Sequence, residues 1–306
     1  FTKYDPILGF DLLPNVEVKN IVNEGSLPPW SFSINSKKLR ITTSNHAPKK
    51  ILTIGNSFTF GDQVNDNQTW QSCLNSSQNK YEFLNGGVRG YGSLQAVIRS
   101  KQLLNDINAD ALLLSIVSYA DIIRDRMDYM MGLPSPALIK TAEGELKITK
   151  APNPNTFGSK FSNQTYAINP FLWFISNYSA LFNRLQPEQS TSLAHLLTRY
   201  HPSNAPNKEV VNTIISELNK ISKENNIPVY IIIQHAENQQ SYYISARNEL
   251  LKQLKSSGIS FHDTWDSIQQ SIKSGTTRGE IWKTHHTVLG NQIICKSILN
   301  STLLDF

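Results

Sequence analysis

Ile51-Leu-Thr-Ile-Gly-Asn-Ser-Phe-Thr-Phe-Gly61 is the stretch that decides the fold of this chain. It opens with a short, mostly apolar run, which is typical of a strand buried on both faces of a parallel sheet. The carboxyl end of such a strand opens into the crevice where α/β proteins bind ligands. The tight turn Gly55-Asn56-Ser57 therefore predicts a serine presented at that crevice. The alternative is an ordinary turn in which Ser57 caps a helix.

Strand and helix patterns alternate through the rest of the chain, which predicts an α/β fold with a parallel sheet wrapped by helices. The predicted strands are residues 51–54, 81–84, 111–117 and 228–234, and the predicted helices are residues 68–79, 93–106, 208–224, 242–256 and about 289–299.

Residues 1–48 do not follow this alternation. They have short alternating pieces such as Trp30-Ser-Phe-Ser-Ile34, several prolines and few helix signals. This pattern predicts an extended arm with a hairpin, packed on a domain that comprises residues 49–306.

A second departure, at about residues 125–206, predicts an insertion within that domain. Residues 138–148 have apolar runs on either side of a Glu-Gly turn, which predicts a hairpin. Residues 170–182 are rich in aromatics at roughly helical spacing and predict a core or lid helix. The alternative for this aromatic segment is an exposed surface that faces an acyl chain or lipid.

Length, composition and charge argue against a transmembrane protein and against a nucleic-acid-binding protein. The chain has 306 residues, 39% of them hydrophobic, which is sufficient for a sizeable core, and no apolar run long enough for a transmembrane helix. The net charge of +5 comes from scattered basic residues, so we expect no nucleic-acid partner. Because the chain begins with Phe1 rather than Met, we expect that a signal or anchor segment was removed and that the protein is extracytoplasmic, periplasmic or secreted. The oligomeric state is not predicted.

The two cysteines, Cys73 and Cys295, lie in apolar, helical settings without metal-type spacing. We therefore expect buried free thiols and no metal site. A disulfide is the alternative, because two helices on one face of the sheet can bring the cysteines together.

Three blocks, in order, resemble those of the SGNH, or GDSL-type, hydrolase superfamily. Gly55-Asn-Ser-Phe-Thr-Phe-Gly61 is similar to the first block, with Asn56 in place of the usual aspartate. Asn85-Gly-Gly-Val-Arg-Gly90-Tyr-Gly is similar to the second, and His285-His-Thr-Val-Leu-Gly290-Asn to the final His-x-x-x-x-Gly block. The resemblance implies a flavodoxin-like three-layer α/β/α fold, acyl-ester chemistry and no cofactor.

The resemblance also implies roles for individual residues. Ser57 attacks the ester carbonyl, and His285 acts as general base and then as general acid. The backbone N–H groups of Ser57 and Gly90 contribute to the oxyanion hole. The expected substrate is an acyl ester or an acylated carbohydrate, cleaved by an esterase or used by an O-acyltransferase. The alternative is a catalytically weakened carbohydrate-binding or assembly module.

One departure from the family lies in its third block, normally Gly-x-Asn-Asp. Here the chain has Ser118-Tyr119-Ala120-Asp121 after a strand that ends at Val117. Asp121 matches, but Ala120 stands where an asparagine side chain normally completes the oxyanion hole. One donor is therefore missing unless Ser118, Tyr119 or another group supplies it.

A second departure concerns the acid of the triad, which the family usually has three residues before the histidine. That position is Trp282. Glu280, Asp263 and Asp266 are nearby acids, each also interpretable as a solvated or capping residue, and a backbone carbonyl can serve in a Ser–His dyad. The sequence therefore assigns no triad acid.

The remaining candidates lie around these blocks. His286 is the alternative to His285 as the general base, but His285 is five residues before Gly290, as the family block requires. His235 ends a predicted strand and is either a structural histidine or a pocket residue. Asn56, Tyr119, Ala120 and Asp121 are further candidates for the pocket. Arg124 is interpreted as a salt-bridged surface group, with a substrate clamp as the alternative.

Overall fold

The structure is a computed structural model that describes residues 1–22, 28–117, 120–126, 128–130, 133–151, 207–237 and 241–304. The strands are β1 (Thr2–Asp5), β2 (Gly9–Leu12), β3 (Val16–Ile21), β4 (Trp30–Ile34), β5 (Lys49–Gly55), β6 (Tyr81–Gly87), β7 (Ala111–Val117), β8 (Tyr129–Met130), β9 (Leu133–Pro134), β10 (Leu138–Lys140), β11 (Leu146–Ile148), β12 (Val229–Gln234) and β13 (Ser260–Asp263). The helices are α1 (Ser57–Phe60), α2 (Trp70–Ser77), α3 (Ser93–Asp106), α4 (Ala120–Arg124), α5 (Asn207–Asn225), α6 (Ser241–Ser257), α7 (Trp265–Lys273), α8 (Arg278–Ile281) and α9 (Val288–Leu299).

A five-stranded parallel sheet forms the centre of the fold, with the strands in the order β6-β5-β7-β12-β13. Numbered along the chain, this is the 2-1-3-4-5 order of flavodoxin-like sheets. The order reverses between β5 and β7, so the carboxyl ends of these two strands flank the crevice. The predicted α/β class and parallel sheet are confirmed.

Helices cover both faces of the sheet because alternate residues of a strand point to opposite sides. Leu52 and Ile54 of β5 pack in one core with apolar residues of α3, α5 and α6. Ile51, the first of this apolar run, packs in a second core with residues of α2, α7 and α9. The sheet with helices packed on each of its two faces forms the three layers of the α/β/α fold.

The predicted elements are present with small changes at their ends. Helix α3 has the predicted bounds, whereas α2 is shorter and follows a 3-10 helix at Asp66–Gln68. Strand β13 and helix α7 were not predicted from the sequence. Because β13 reads Ser-Phe-His-Asp and lies at the sheet edge, it has no apolar run that would mark a strand.

The amino-terminal segment forms two antiparallel hairpins, β1 with β2 and β3 with β4. Phe10 and Leu12 of the first hairpin and Trp30 and Phe32 of the second lie in the same core as α3. Arg40 follows them and forms an antiparallel bridge to β6 at the sheet edge. Both hairpins therefore contribute apolar side chains to this core.

The predicted hairpin at residues 138–148 is present as β10 paired with β11. The aromatic segment at residues 170–182 lies outside the described residues. In the part of the chain that is described, no helix is both long enough and apolar enough to cross a membrane.

The expectation of free thiols is wrong, because Cys73 of α2 and Cys295 of α9 form a disulfide. Their Cα atoms are 6.0 Å apart, although 222 residues separate them in sequence. Helices α2 and α9 cover the same face of the sheet, and Trp70 N–H also donates to Asn291 Oδ1 across this helix pair (3.1 Å). Sequence separation hides this proximity, which comes from the topology of the sheet.

Candidate active site

Ser57 begins α1 with one residue, Asn56, between it and the end of β5, and a buried hydrogen-bond network fixes this turn. Asn56 Oδ1 accepts from Phe58 N–H (2.8 Å) and thereby caps α1. Asn56 Nδ2 donates to Asp121 Oδ1 (2.6 Å), while Asp121 Oδ2 accepts from Val117 N–H (2.8 Å). Asn56 and Asp121 thus tie the end of β5 to the end of β7 beneath the serine.

This network explains why an asparagine can stand at position 56. An aspartate there would bring a second carboxylate against Asp121, whereas the amide of Asn56 donates a hydrogen bond to it. Burial raises the pKa of Asp121 to about 6, against the opposing charge of Arg124. Arg124 is salt-bridged to Asp121 (3.3 Å), but its side chain is mostly buried rather than on the surface.

His285 is the histidine that contacts the serine. Its Nε2 lies 2.8 Å from Ser57 Oγ, which is hydrogen-bonding distance. The neighbouring His286 turns the other way, and its Nε2 lies 3.1 Å from the backbone carbonyl oxygen of His235. The structure therefore brings together the two residues that the family blocks propose as nucleophile and base.

His286 and His235 have buried partners of their own. Because a carbonyl only accepts, the Nε2 of His286 carries the proton, and burial lowers the pKa of this ring to about 3. The His235 carbonyl also accepts from Trp282 Nε1 (2.8 Å), and the His235 ring contacts Asp263 (2.7 Å), which pairs with Arg247. Both histidines thus support the segment that holds His285.

None of the nearby acids considered from the sequence hydrogen-bonds to His285. Burial would raise the pKa of Asp263, but His235 and Arg247 outweigh it and hold that pKa below its usual value. Glu280 is exposed and bonds to Thr277, and Asp266 lies in the first turn of α7. The buried Nδ1 of His285 has no hydrogen-bond partner within the described residues. No carboxylate there occupies the usual triad position.

The expected oxyanion-hole donors lie in two tight turns. Gly90 has φ of +83°, a left-handed conformation that favours glycine, in the loop between β6 and α3. Ser57 begins α1, so its N–H has no carbonyl partner inside that helix. Ala120 begins α4, directly after Ser118 and Tyr119, which lie outside the described residues. The structure thus leaves the third donor unassigned.

Asp62 is a residue of this site that the sequence analysis missed. Its Oδ2 lies 3.8 Å from His285 Nε2 and accepts from Arg89 Nε (2.7 Å). Asp62 N–H also donates to the Ser57 carbonyl (3.0 Å), so α1 fixes its position. Two features of the sequence could have pointed to Asp62: it directly follows Gly61 of the first block, and the second block contains an arginine, Arg89. Neither signal reveals that the two side chains meet beside the histidine.

The environment of His285 favours the neutral imidazole that a general base requires. Burial lowers its pKa from the ordinary histidine value. The carboxylate of Asp62 acts in the opposite direction, and the cations Arg89 and Arg124 lower the pKa further. No group of three or more His, Cys, Asp or Glu side chains suited to a metal ion occurs among the described residues.

No protein-family model and no curated protein sequence matches the chain. Solved structures are similar at low identity. A member of the lipolytic protein G-D-S-L family from Veillonella parvula has a TM-score of 0.47 and 12% identity over 82% of this chain and 96% of that chain. A variant of an acetyl xylan esterase from Geobacillus stearothermophilus has a TM-score of 0.48 and 12% identity over 85% and 94% of the two chains. An alpha/beta hydrolase enzyme from the metagenome of Lake Arreo, Spain, has a TM-score of 0.46 and 10% identity over 83% and 94%. At such low values these similarities carry no argument about function.

Proposed function

We propose that this chain is a serine-dependent acyl-ester hydrolase or O-acyltransferase of the SGNH type that works through an acyl-enzyme on Ser57. The observation that carries the proposal is the 2.8 Å contact between Ser57 Oγ and His285 Nε2. A serine hydroxyl becomes a competent nucleophile when a base accepts its proton at such a distance. The contact also lies at the switch point of the sheet, where α/β proteins bind ligands.

The geometry supports a two-step reaction. Ser57 Oγ bonds to the carbonyl carbon of the ester as its proton passes to His285 Nε2, and the carbonyl π electrons move to oxygen. The oxyanion collapses, the bond to the alkoxide breaks, and the alkoxide takes the proton from Nε2. Water or a sugar hydroxyl then adds to the acyl-enzyme, gives its proton to Nε2, and releases Ser57, which recovers that proton.

The N–H groups of Ser57 and Gly90 are the proposed donors to the oxyanion. Such donors act by facing the charge before it forms, and removing one typically costs about 100- to 1,000-fold in rate. Because Ala120 has no side-chain donor, the proposed oxyanion hole has two donors. We expect a lower rate from it than from a hole with three donors. We propose Asn56 and Asp121 as supports of the serine turn rather than groups that touch substrate.

The proposal extends to an acylated carbohydrate substrate and an extracytoplasmic location. The substrate rests on the block resemblance described above, in a superfamily that includes polysaccharide-modifying enzymes. The location is supported by the Cys73–Cys295 disulfide, because disulfides persist mainly in oxidising compartments. Hydrolase and transferase share the acyl-enzyme and differ only in whether water or a sugar hydroxyl resolves it.

A labelling experiment with matched histidine variants tests the proposal. A fluorophosphonate should modify Ser57, and Ser57→Ala should abolish both labelling and p-nitrophenyl acetate turnover while circular dichroism stays unchanged. His285→Ala should lose turnover, whereas His286→Ala should retain at least part of it, because only His285 reaches Ser57 Oγ. Retained turnover in Ser57→Ala would refute the nucleophile. An inactive His286→Ala beside an active His285→Ala would refute the base.

One observation favours a second candidate, a weakened SGNH-like module that binds a carbohydrate or assists assembly. Within the described residues, His285 Nδ1 has no acceptor, so the imidazolium formed on proton transfer lacks the usual carboxylate. Calorimetric titration with acylated oligosaccharides separates the two candidates. Binding without fluorophosphonate labelling of folded protein would favour the module, and labelling with turnover would favour the enzyme.

A further inference from the structure

A carboxylate lies beside His285, but on the side of the serine rather than on the side where a triad acid sits. Asp62 Oδ2 is 3.8 Å from His285 Nε2, and the Asp62 side chain is only 4% exposed. Arg89 Nε donates to the same Oδ2 (2.7 Å). The other oxygen, Oδ1, is buried and has no hydrogen-bond partner among the described residues. A buried carboxylate with one free oxygen beside a catalytic histidine calls for a functional explanation.

The charged and titratable groups that influence His285 come from several elements. Asp62 follows α1, Arg89 lies between β6 and α3, Arg124 ends α4, and His286 is the next residue in the chain. Arg124 is paired with Asp121, and His286 is buried against a carbonyl. Asp62 is therefore the anion of this group that faces the imidazole.

We propose that Asp62 takes, at Nε2 of His285, the electrostatic role that a triad acid usually has at Nδ1, and that Arg89 sets how strongly it does so. This inference rests on the proposed function, since it assigns a partner to the proposed base. In this proposal Asp62 acts through His285, so it is a positioning residue.

The distances explain how this arrangement keeps the base available. The single proton on Nε2 of the imidazolium has Ser57 Oγ as its acceptor at 2.8 Å, while Asp62 at 3.8 Å is too far to compete for it. Asp62 therefore stabilises the imidazolium by charge alone. Arg89 anchors the same oxygen at 2.7 Å, which holds Asp62 in this place and offsets part of its charge.

This role predicts opposite pH shifts for two variants. The acid limb of kcat/KM reports the pKa of the free base. Asp62→Asn removes the group that raises the pKa of His285, so the limb should move to lower pH, and kcat/KM should fall about tenfold or more because the imidazolium loses its stabilising charge. Arg89→Gln removes a cation that lowers the same pKa, so the limb should move to higher pH.

The experiment is the pH profile of p-nitrophenyl acetate hydrolysis by the full chain and its variants. Asp66→Asn is the matched control, because Asp66 lies four residues after Asp62 and also pairs with an arginine, Arg40 (2.9 Å), but is not among the charges that act on His285. Its acid limb should coincide with that of the unaltered protein.

A purely structural Asp62 would give a different result. Both variants would then lose rate without a shift in the limb, or the limb would move in the same direction in both, and either outcome would overturn the inference. Fluorophosphonate labelling of Ser57 in the unaltered protein keeps this test separate from the proposed function. Absent labelling refutes the function, whereas labelling with unshifted limbs refutes only the role of Asp62.

Discussion

Arg40→Met tests whether the amino-terminal arm belongs to the catalytic unit. The guanidinium of Arg40 is buried and donates to the carbonyl oxygens of Phe60, Gly61 and Val64, which lie at the end of α1 and in the loop after it. Asn85 Nδ2 also donates to Phe60 O (3.1 Å), so this carbonyl keeps a partner in the variant. The other two carbonyls have no second donor among the described residues.

The magnitude follows from these lost bonds. An unsatisfied buried acceptor costs about 1–3 kcal/mol, so two such carbonyls lower the free energy of unfolding by about 2–6 kcal/mol. The ion pair between Arg40 and Asp66 (2.9 Å) is lost as well, which adds to this cost. Because Asp62 lies inside the released loop, kcat/KM should fall as well, even at temperatures where the variant is folded.

Urea denaturation and p-nitrophenyl acetate kinetics measure the two effects. Lys19→Met is the matched control, because Lys19 is a basic residue of the arm whose ion pair with Glu17 is exposed to solvent. We expect it to cost less than about 1 kcal/mol. If Arg40→Met had the denaturation midpoint and kcat/KM of the unaltered protein, the reasoning that the arm fixes the catalytic loop would be refuted.

Three further predictions concern other parts of the site and its support. Replacing Cys73 and Cys295 together with serine should lower the free energy of unfolding by about 5 kcal/mol, because the bridge closes a loop of 222 residues; an unchanged midpoint in urea would contradict the bridge. Ala120→Asn should raise kcat for p-nitrophenyl acetate, by up to about 100-fold, by supplying the missing side-chain donor; an unchanged kcat would show that another group already fills this role. His286→Gln should reduce the loss of stability at acid pH, since the pKa of His286 is about 3 in the folded state against 6.5 as its ordinary value. Unfolding then takes up a proton between these values, so stability is lost as pH falls, by up to about 1.4 kcal/mol per pH unit; parallel stability curves for the variant and the unaltered protein would contradict this reasoning.

The parallel sheet was predictable because its signals are local. Apolar runs such as Ile51–Ile54 and helical spacing such as that of residues 93–106 reflect which faces of an element are buried, and this pattern is written in consecutive residues. Strand β13 was missed because a short polar edge strand buries little and has no such pattern. The family blocks also selected Ser57 and His285, and the structure places these two side chains in contact.

What the sequence could not determine are the contacts between side chains that are far apart along the chain. The Cys73–Cys295 bridge joins helices that only the topology brings to one face of the sheet. Asp62 meets His285 because α1 turns the serine loop back toward the start of α9, and that turn depends on buried hydrogen bonds between strand ends. Hydrophobic periodicity and motif spacing indicate which residues of a single helix or strand are buried. Contacts between different elements form only when the strand order of the sheet brings the ends of those elements together. The sequence by itself therefore determined the fold class and the proposed nucleophile and base, and the tertiary structure alone decided which charges surround them.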